Sequence, residues 1–182
     1  MSVFDPGFAN SGTAARGSIS RTNLNLACLA NAGTLKQGTV RFVIGRQDVS
    51  GTTQVEALGS AQVTAKDRSK VYAWEGASVT ASGTAIVIAA DRAQVIALEY
   101  SNIVASDNVT VHARDNAAVE ALGKATVYAS GNAHVKALEG ATIHASGNCT
   151  VDAASLTGCT IYLSERAQVV SKQGKSRIVQ NT

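Results

Sequence analysis

A chain of 182 residues suits one small domain with terminal extensions. Its composition is 45% hydrophobic but only 4% aromatic, which excludes a wide core of Leu and Phe, and no apolar run approaches the length of a membrane span. The formal charge of +3 is small and split between segments, so the concentrated basic footprint of a nucleic-acid-binding protein is missing.

Residues 1–20 are rich in Gly, Ser and Ala without periodicity and read as an arm or linker. Met1 to Ala9 has neither the basic start nor the apolar core of a signal peptide, so synthesis in a cytoplasm is expected. Residues 22–33 fit either a short helix capped by Thr22 and ended by Gly33, or a strand through Asn23-Leu24-Asn25-Leu26. Thr39 to Ile44 alternates better and reads as a first, irregular strand. Residues 1–51 are therefore expected to form an attachment and capping region, carrying five Lys/Arg against two Asp/Glu.

Thirteen consecutive octapeptides then fill residues 52–155, from TTQVEALG to NCTVDAAS. The fourth residue is always Val or Ile, the sixth is always Ala, and the second is Ala in eight of the thirteen. Small-x-Val-x-Ala is a period-two alternation about a β-branched centre, the pattern of a half-buried strand. The third and fifth positions are polar and varied (Gln54 and Glu56, His134 and Lys136), as an outward face requires. Gly or Asn stands at nine of the twelve junctions, where tolerance of positive φ permits a tight corner. Asp67-Arg68, Asp91-Arg92 and Glu99-Tyr100 are the exceptions, and a less sharp turn is expected there.

Strand and corner, repeated with small inward residues, predict an all-β fold: a right- or left-handed β-solenoid with a thin Ala/Val core and irregular caps at both ends. Leu58, Trp74, Leu122 and Leu138 recur in the seventh position at multiples of sixteen, against the counter-example Leu98. This favours two octads per coil over three. At ~4.8 Å per coil, the thirteen octads stack to roughly 30 Å. After Ser155 the period slips. Cys159 to Leu163 and Arg166 to Val170 are strand-like but out of step, so residues 156–182 read as a capping or oligomerising end.

No residue set stands out as catalytic or metal-binding, and no cofactor is implied. His112 and His144 share a face two coils apart, too far to share one zinc ion. Glu120, Lys136 and Asp152 stack as a surface charge ladder. The lysine interrupts the carboxylate pair that a glycosidase would need. Cys28, Cys149 and Cys159 show no metal spacing; reduced, buried thiols are expected, a Cys149–Cys159 disulfide being the alternative. The most patterned surface belongs to every second octad: Thr110, Thr126 and Thr142 in one file, with His112, Tyr128 and His144 beside it. Thr suits any exposed strand, but the accompanying rings make this the candidate ligand or partner face, suited to a glycan or a protein.

The phrasing Gly-Asn-Ala-x-Val-x-Ala-Leu (Gly131 to Leu138) resembles the octapeptide-repeat proteins of phages and prophages. Re-framed as Val-x-Ala (Val127-Tyr128-Ala129), the repeat also resembles the octads of phage spike needles, three chains wound about one axis, although Ala stands where those carry Gly. The resemblance covers residues 52–155 and rests on core and corner positions, so it transfers no catalytic residue. It implies a non-enzymatic virion component, a tail fibre, spike or capsid decoration. Residues 1–51 would join other virion proteins, the chain would form a homo-oligomer with a trimer favoured, and the solenoid would face a host-surface glycan or protein. No membrane span and no nucleic-acid partner are expected. A cellular, cytoplasmic self-assembling scaffold or binding module is the alternative, and an ice-binding protein a third reading.

Overall fold

The computed structural model describes residues 41–154 and 158–180. They belong to a unit spanning Gln37–Thr182. The expectations for residues 1–40, including the helix-or-strand segment and Cys28, lie outside the described residues.

The described residues form strands and turns only. Two strands precede the octads, β1 (Arg41–Val43) and β2 (Arg46–Val49). Each octad then contributes one strand of four residues. These are β3 (Gln54–Ala57), β4 (Gln62–Ala65), β5 (Lys70–Ala73), β6 (Ser78–Ala81), β7 (Ile86–Ala89), β8 (Gln94–Ala97) and β9 (Asn102–Ala105). They continue as β10 (Thr110–Ala113), β11 (Ala118–Ala121), β12 (Thr126–Ala129), β13 (His134–Ala137), β14 (Thr142–Ala145) and β15 (Thr150–Ala153). Three more follow: β16 (Thr160–Leu163), β17 (Gln168–Lys172) and β18 (Arg177–Gln180).

Odd-numbered strands form one nine-stranded parallel sheet and even-numbered strands a second. Each octad strand therefore pairs with the strand sixteen residues away, as in Thr110↔Thr126 and Val111↔Val127. Two strands and two corners make one coil, and the single chain closes every coil by itself. The intertwined three-chain arrangement of spike needles is not what this chain builds. At ~4.8 Å per step, nine strands stack to roughly 40 Å.

Inside, the alternation places Val or Ile at every fourth position and Ala at every sixth, nearly all without solvent contact. From the second octad onward the second position is buried too, and its serines are satisfied locally: Ser69 Oγ donates to the Lys66 carbonyl at 2.7 Å, and Ser101 Oγ to Leu98 at 2.8 Å. Because Ala supplies most of the inward surface, the two sheets approach closely and no larger side chain is needed.

The corners turn on the eighth residue of the octad. It holds positive φ whether it is glycine (Gly59, φ 61°; Gly83, φ 66°) or an acid (Asp67, 58°; Asp91, 61°; Glu99, 56°), except at Glu139, where the next residue, Gly140 (φ 72°), holds it instead. The three exceptional corners therefore turn as the others do, contrary to expectation. A left-handed conformation costs an L-residue about 1–2 kcal/mol, and the carboxylates compensate. Each accepts a hydrogen bond from the backbone N–H of the corner residue one coil earlier. Gly51 N donates to Asp67 Oδ2 at 3.0 Å, Gly83 N to Glu99 Oε2 at 2.7 Å, Glu99 N to Asp115 Oδ2 at 3.2 Å, and Gly147 N to Glu165 Oε2 at 2.8 Å. On the other corner Glu75 N donates to Asp91 Oδ2 at 3.1 Å. Charge-assisted bonds of this kind are stronger than neutral ones.

The slip after Ser155 is a displacement in sequence and not in space. Thr160 pairs with Thr142 and Ile161 with Ile143, a step of eighteen instead of sixteen. Two extra residues fall between Ala153 and Thr160. An even insertion leaves the inward and outward alternation unchanged. A second irregularity, a bulge opposite Val151/Asp152, pushes Val170 outward to 57% exposure.

Cys149 and Cys159 are buried free thiols, not a disulfide. Burial raises the Cys149 thiol above its ordinary pKa. The unfolded chain therefore loses this proton first as pH rises, so folding stability falls above the thiol's normal range and not below it. Replacing Cys149 with Ala is expected to remove that alkaline loss, measured by urea unfolding between pH 8 and pH 10. A second test concerns the corners. A Cβ on Gly83 would sit 2.9 Å from the Asp67 backbone nitrogen, on a residue already at positive φ. Gly83→Ala is expected to destabilise by about 2 kcal/mol or more, read as a lowered urea midpoint. Val127→Asp, which buries an unpaired charge in the Ala/Val core, is expected to prevent folding.

Candidate functional site

The second sheet brings all six candidate residues together. Thr110 and His112 lie on β10, Thr126 and Tyr128 on β12, Thr142 and His144 on β14, and these strands are consecutive neighbours. Strict register puts Thr110, Thr126 and Thr142 in one file and His112, Tyr128 and His144 in the next. β16 extends both files by one row, with Thr160 after Thr142 and Tyr162 after His144.

The ring file is a continuous stack. His112 and Tyr128 have centroids 5.0 Å apart at 12°, Tyr128 and His144 4.9 Å at 16°, and His144 and Tyr162 4.7 Å at 9°. These separations match the spacing between strands, about 4.7–4.9 Å. Parallel in-register pairing leaves flat outward side chains no other arrangement on successive rows. Because each inner ring uses both faces on its neighbours, the file presents edges to solvent: imidazole nitrogens alternating with phenol hydroxyls. A sugar stacking on an open ring face would find one at the ends of the file and not along it.

A groove of about 250 Å³ runs beside the rings. Its far wall is the seventh-position file, Arg114, Ser130, Ser146 and Ser164. Ser146 Oγ donates to the Ala129 carbonyl at 3.3 Å and Ser164 Oγ to Ala145 at 3.5 Å. Their protons are thereby committed inward and their lone pairs left facing the groove. The face thus offers donors and acceptors in rows, with one guanidinium at one end. This is hydrogen-bonding chemistry.

Two parts of the site escaped the sequence reading. Tyr162 was hidden by the two-residue insertion, although Thr160-Ile161-Tyr162 repeats the phrasing of Thr126-Val127-Tyr128. The serine wall was hidden because its members are ordinary corner residues until the coil length is known.

The remaining candidates are dispersed. Lys136 Nζ lies 3.4 Å from Glu120 Oε1, both partly exposed, a pair of little energetic weight. Asp152 follows on the next row, with its Oδ1 buried and without a hydrogen-bond partner. His134 contacts Thr150 at 2.8 Å on the first sheet. Among the described residues no three His, Cys, Asp or Glu side chains converge on a possible metal position, and no helix is long and apolar enough to cross a membrane.

Compared with family models, with curated proteins and with solved structures, the chain matches none.

Tyr128 occupies the middle of the stack, contacting a ring on each side. Tyr128→Leu is expected to cost about 1 kcal/mol of stability. It should also move the ring-proton resonances of His112 and His144 downfield as the ring current disappears. Unchanged histidine shifts would mean that the rings do not stack in solution.

Proposed function

We propose that this chain is a non-enzymatic structural protein, a phage or prophage virion component of the tail-fibre, spike or capsid-decoration type. Its stiff solenoid holds the ring-edged groove toward a host-surface glycan or protein. The observation that carries the reading is the in-register stacking of the thirteen octad strands within two nine-stranded sheets, locked at the corners by carboxylate-to-amide bonds. Such a ladder converts sequence length into rigid length with little demand on side-chain variety. It also explains the acidic residues structurally. Within the repeat Asp67, Asp91, Glu99 and Asp115 serve the corners, so the repeat's negative charge is not by itself a binding signal.

The octad phrasing supports the virion assignment, and residues 1–51 are the part assigned to attachment to other virion proteins. The groove supports a binding role. Its mixed donors and acceptors suit hydroxyl-rich or peptide surfaces, whereas an ice-binding face would call for paired Thr files, and here a ring file stands in place of the second.

Immunogold labelling with antibodies against residues 52–155 tests the placement. Label at a fixed position on particles from the producing strain is expected. Antigen found only in the soluble lysate would overturn the virion assignment and favour a cytoplasmic scaffold. For the groove, the double change Tyr128→Ala and His144→Ala is expected to weaken binding of the purified chain to host cells at least ~tenfold, with the circular dichroism spectrum unchanged.

A further inference from the structure

The sheet opposite the rings carries an outward surface that the display reading does not use. Three successive rows of this first sheet are apolar on the outside: Tyr72 on β5, Ile86 and Ile88 on β7, and Val104 on β9. Ile86 is 40% and Val104 37% exposed. Outward β-branched apolar residues on successive rows of one sheet set this stretch apart, because most outward positions of the repeat are polar. A contiguous apolar patch of this kind marks an interaction surface.

The charges around the patch identify the occupant. On the side toward β1 lie Glu56 and Lys70; on the side toward β17 lie Glu120 and Lys136. Consider a second copy laid face to face, related by a twofold axis along the strand direction and passing between β7 and β9. That operation exchanges β7 with β9, β5 with β11, and β3 with β13. Ile88 then faces Val104, and Glu56 faces Lys136, each pairing occurring twice. Tyr72 covers the stem of Glu120, within reach of Lys70 one position along.

Two competing registers place like charges in opposition. An axis on β7 itself sets Glu56 against Glu120. A parallel threefold bundle, the trimer that the sequence resemblance favours, sets each row against itself, glutamate on glutamate and lysine on lysine. Like charges placed in opposition cost several kcal/mol, and a twofold interface must be self-complementary. The geometry points to an antiparallel homodimer through the first sheet, with the axis between Ile88 and Val104. Such a dimer leaves both ring-edged grooves on its outer faces.

The full-length chain is the test object. Light scattering across a concentration series is expected to show a mass twice the 18.6 kDa of the chain. Lys136→Glu should weaken association at least ~tenfold. Glu56→Lys with Lys136→Glu should restore it, because the swapped pair is again complementary. Since the double variant still lacks the Lys136–Glu120 contact, restoration cannot come from an internal effect. Circular dichroism on every variant verifies that the solenoid is intact. A monomer or trimer at all concentrations, or failure of the charge swap, would each overturn the proposal. None of these outcomes bears on whether the chain resides in a virion.

Discussion

Everything in this molecule depends on the parallel, in-register pairing of each strand with the one a coil away. Backbone amides of one coil bond to carbonyls of the previous coil along strands and corners alike, as in Thr126 to Val109 and Asn132 to Asp115. Once that ladder is set, every octad position becomes a straight file along the solenoid. Inward files must be small because the sheets face each other across a thin core. Outward files place like against like at strand spacing, so any chemistry on the surface is repeated in rows. A chance His or Tyr is turned by this constraint into a stack of rings.

The corners show how the ladder is kept regular. Twice per coil the chain needs a residue at positive φ. Glycine meets the need with no Cβ, but where coils approach as closely as Gly83 and Asp67 the stacking is tight. Acids at the same position carry conformational strain and return it as a hydrogen bond to the coil beneath. Asp and Glu are thereby interchangeable with Gly at a site where propensity alone would not have placed them. The same bonds account for the acidic bias of the repeat between two basic ends.

The two sheets have different exteriors despite near-identical interiors. One carries the Thr and ring files with the serine-walled groove; the other carries the apolar rows around Ile88 and the charge pairs that flank them. Sixteen residues per coil, and not eight, allows this division. Consecutive octads never share a sheet, so each face varies independently while the core positions stay constant.

Period, strand positions, inward residues and the two-strand coil were all legible in the sequence, because burial imposes period two within a strand and period sixteen between faces. So were the six residues of the Thr/His/Tyr face, since register follows from coil length by counting. Counting fails where the chain inserts residues. Tyr162 re-enters the ladder after two extra residues and β18 after one, offsets that a string of letters does not reveal. Nor could composition show that Asp67, Asp91 and Glu99 turn as glycine does, since their left-handed backbone rests on amides sixteen residues away. The sequence by itself determined the solenoid and its thin core, because those follow from local alternation. The tertiary structure alone decided the four-ring stack, its groove and the acid-capped corners, because each is a contact between coils.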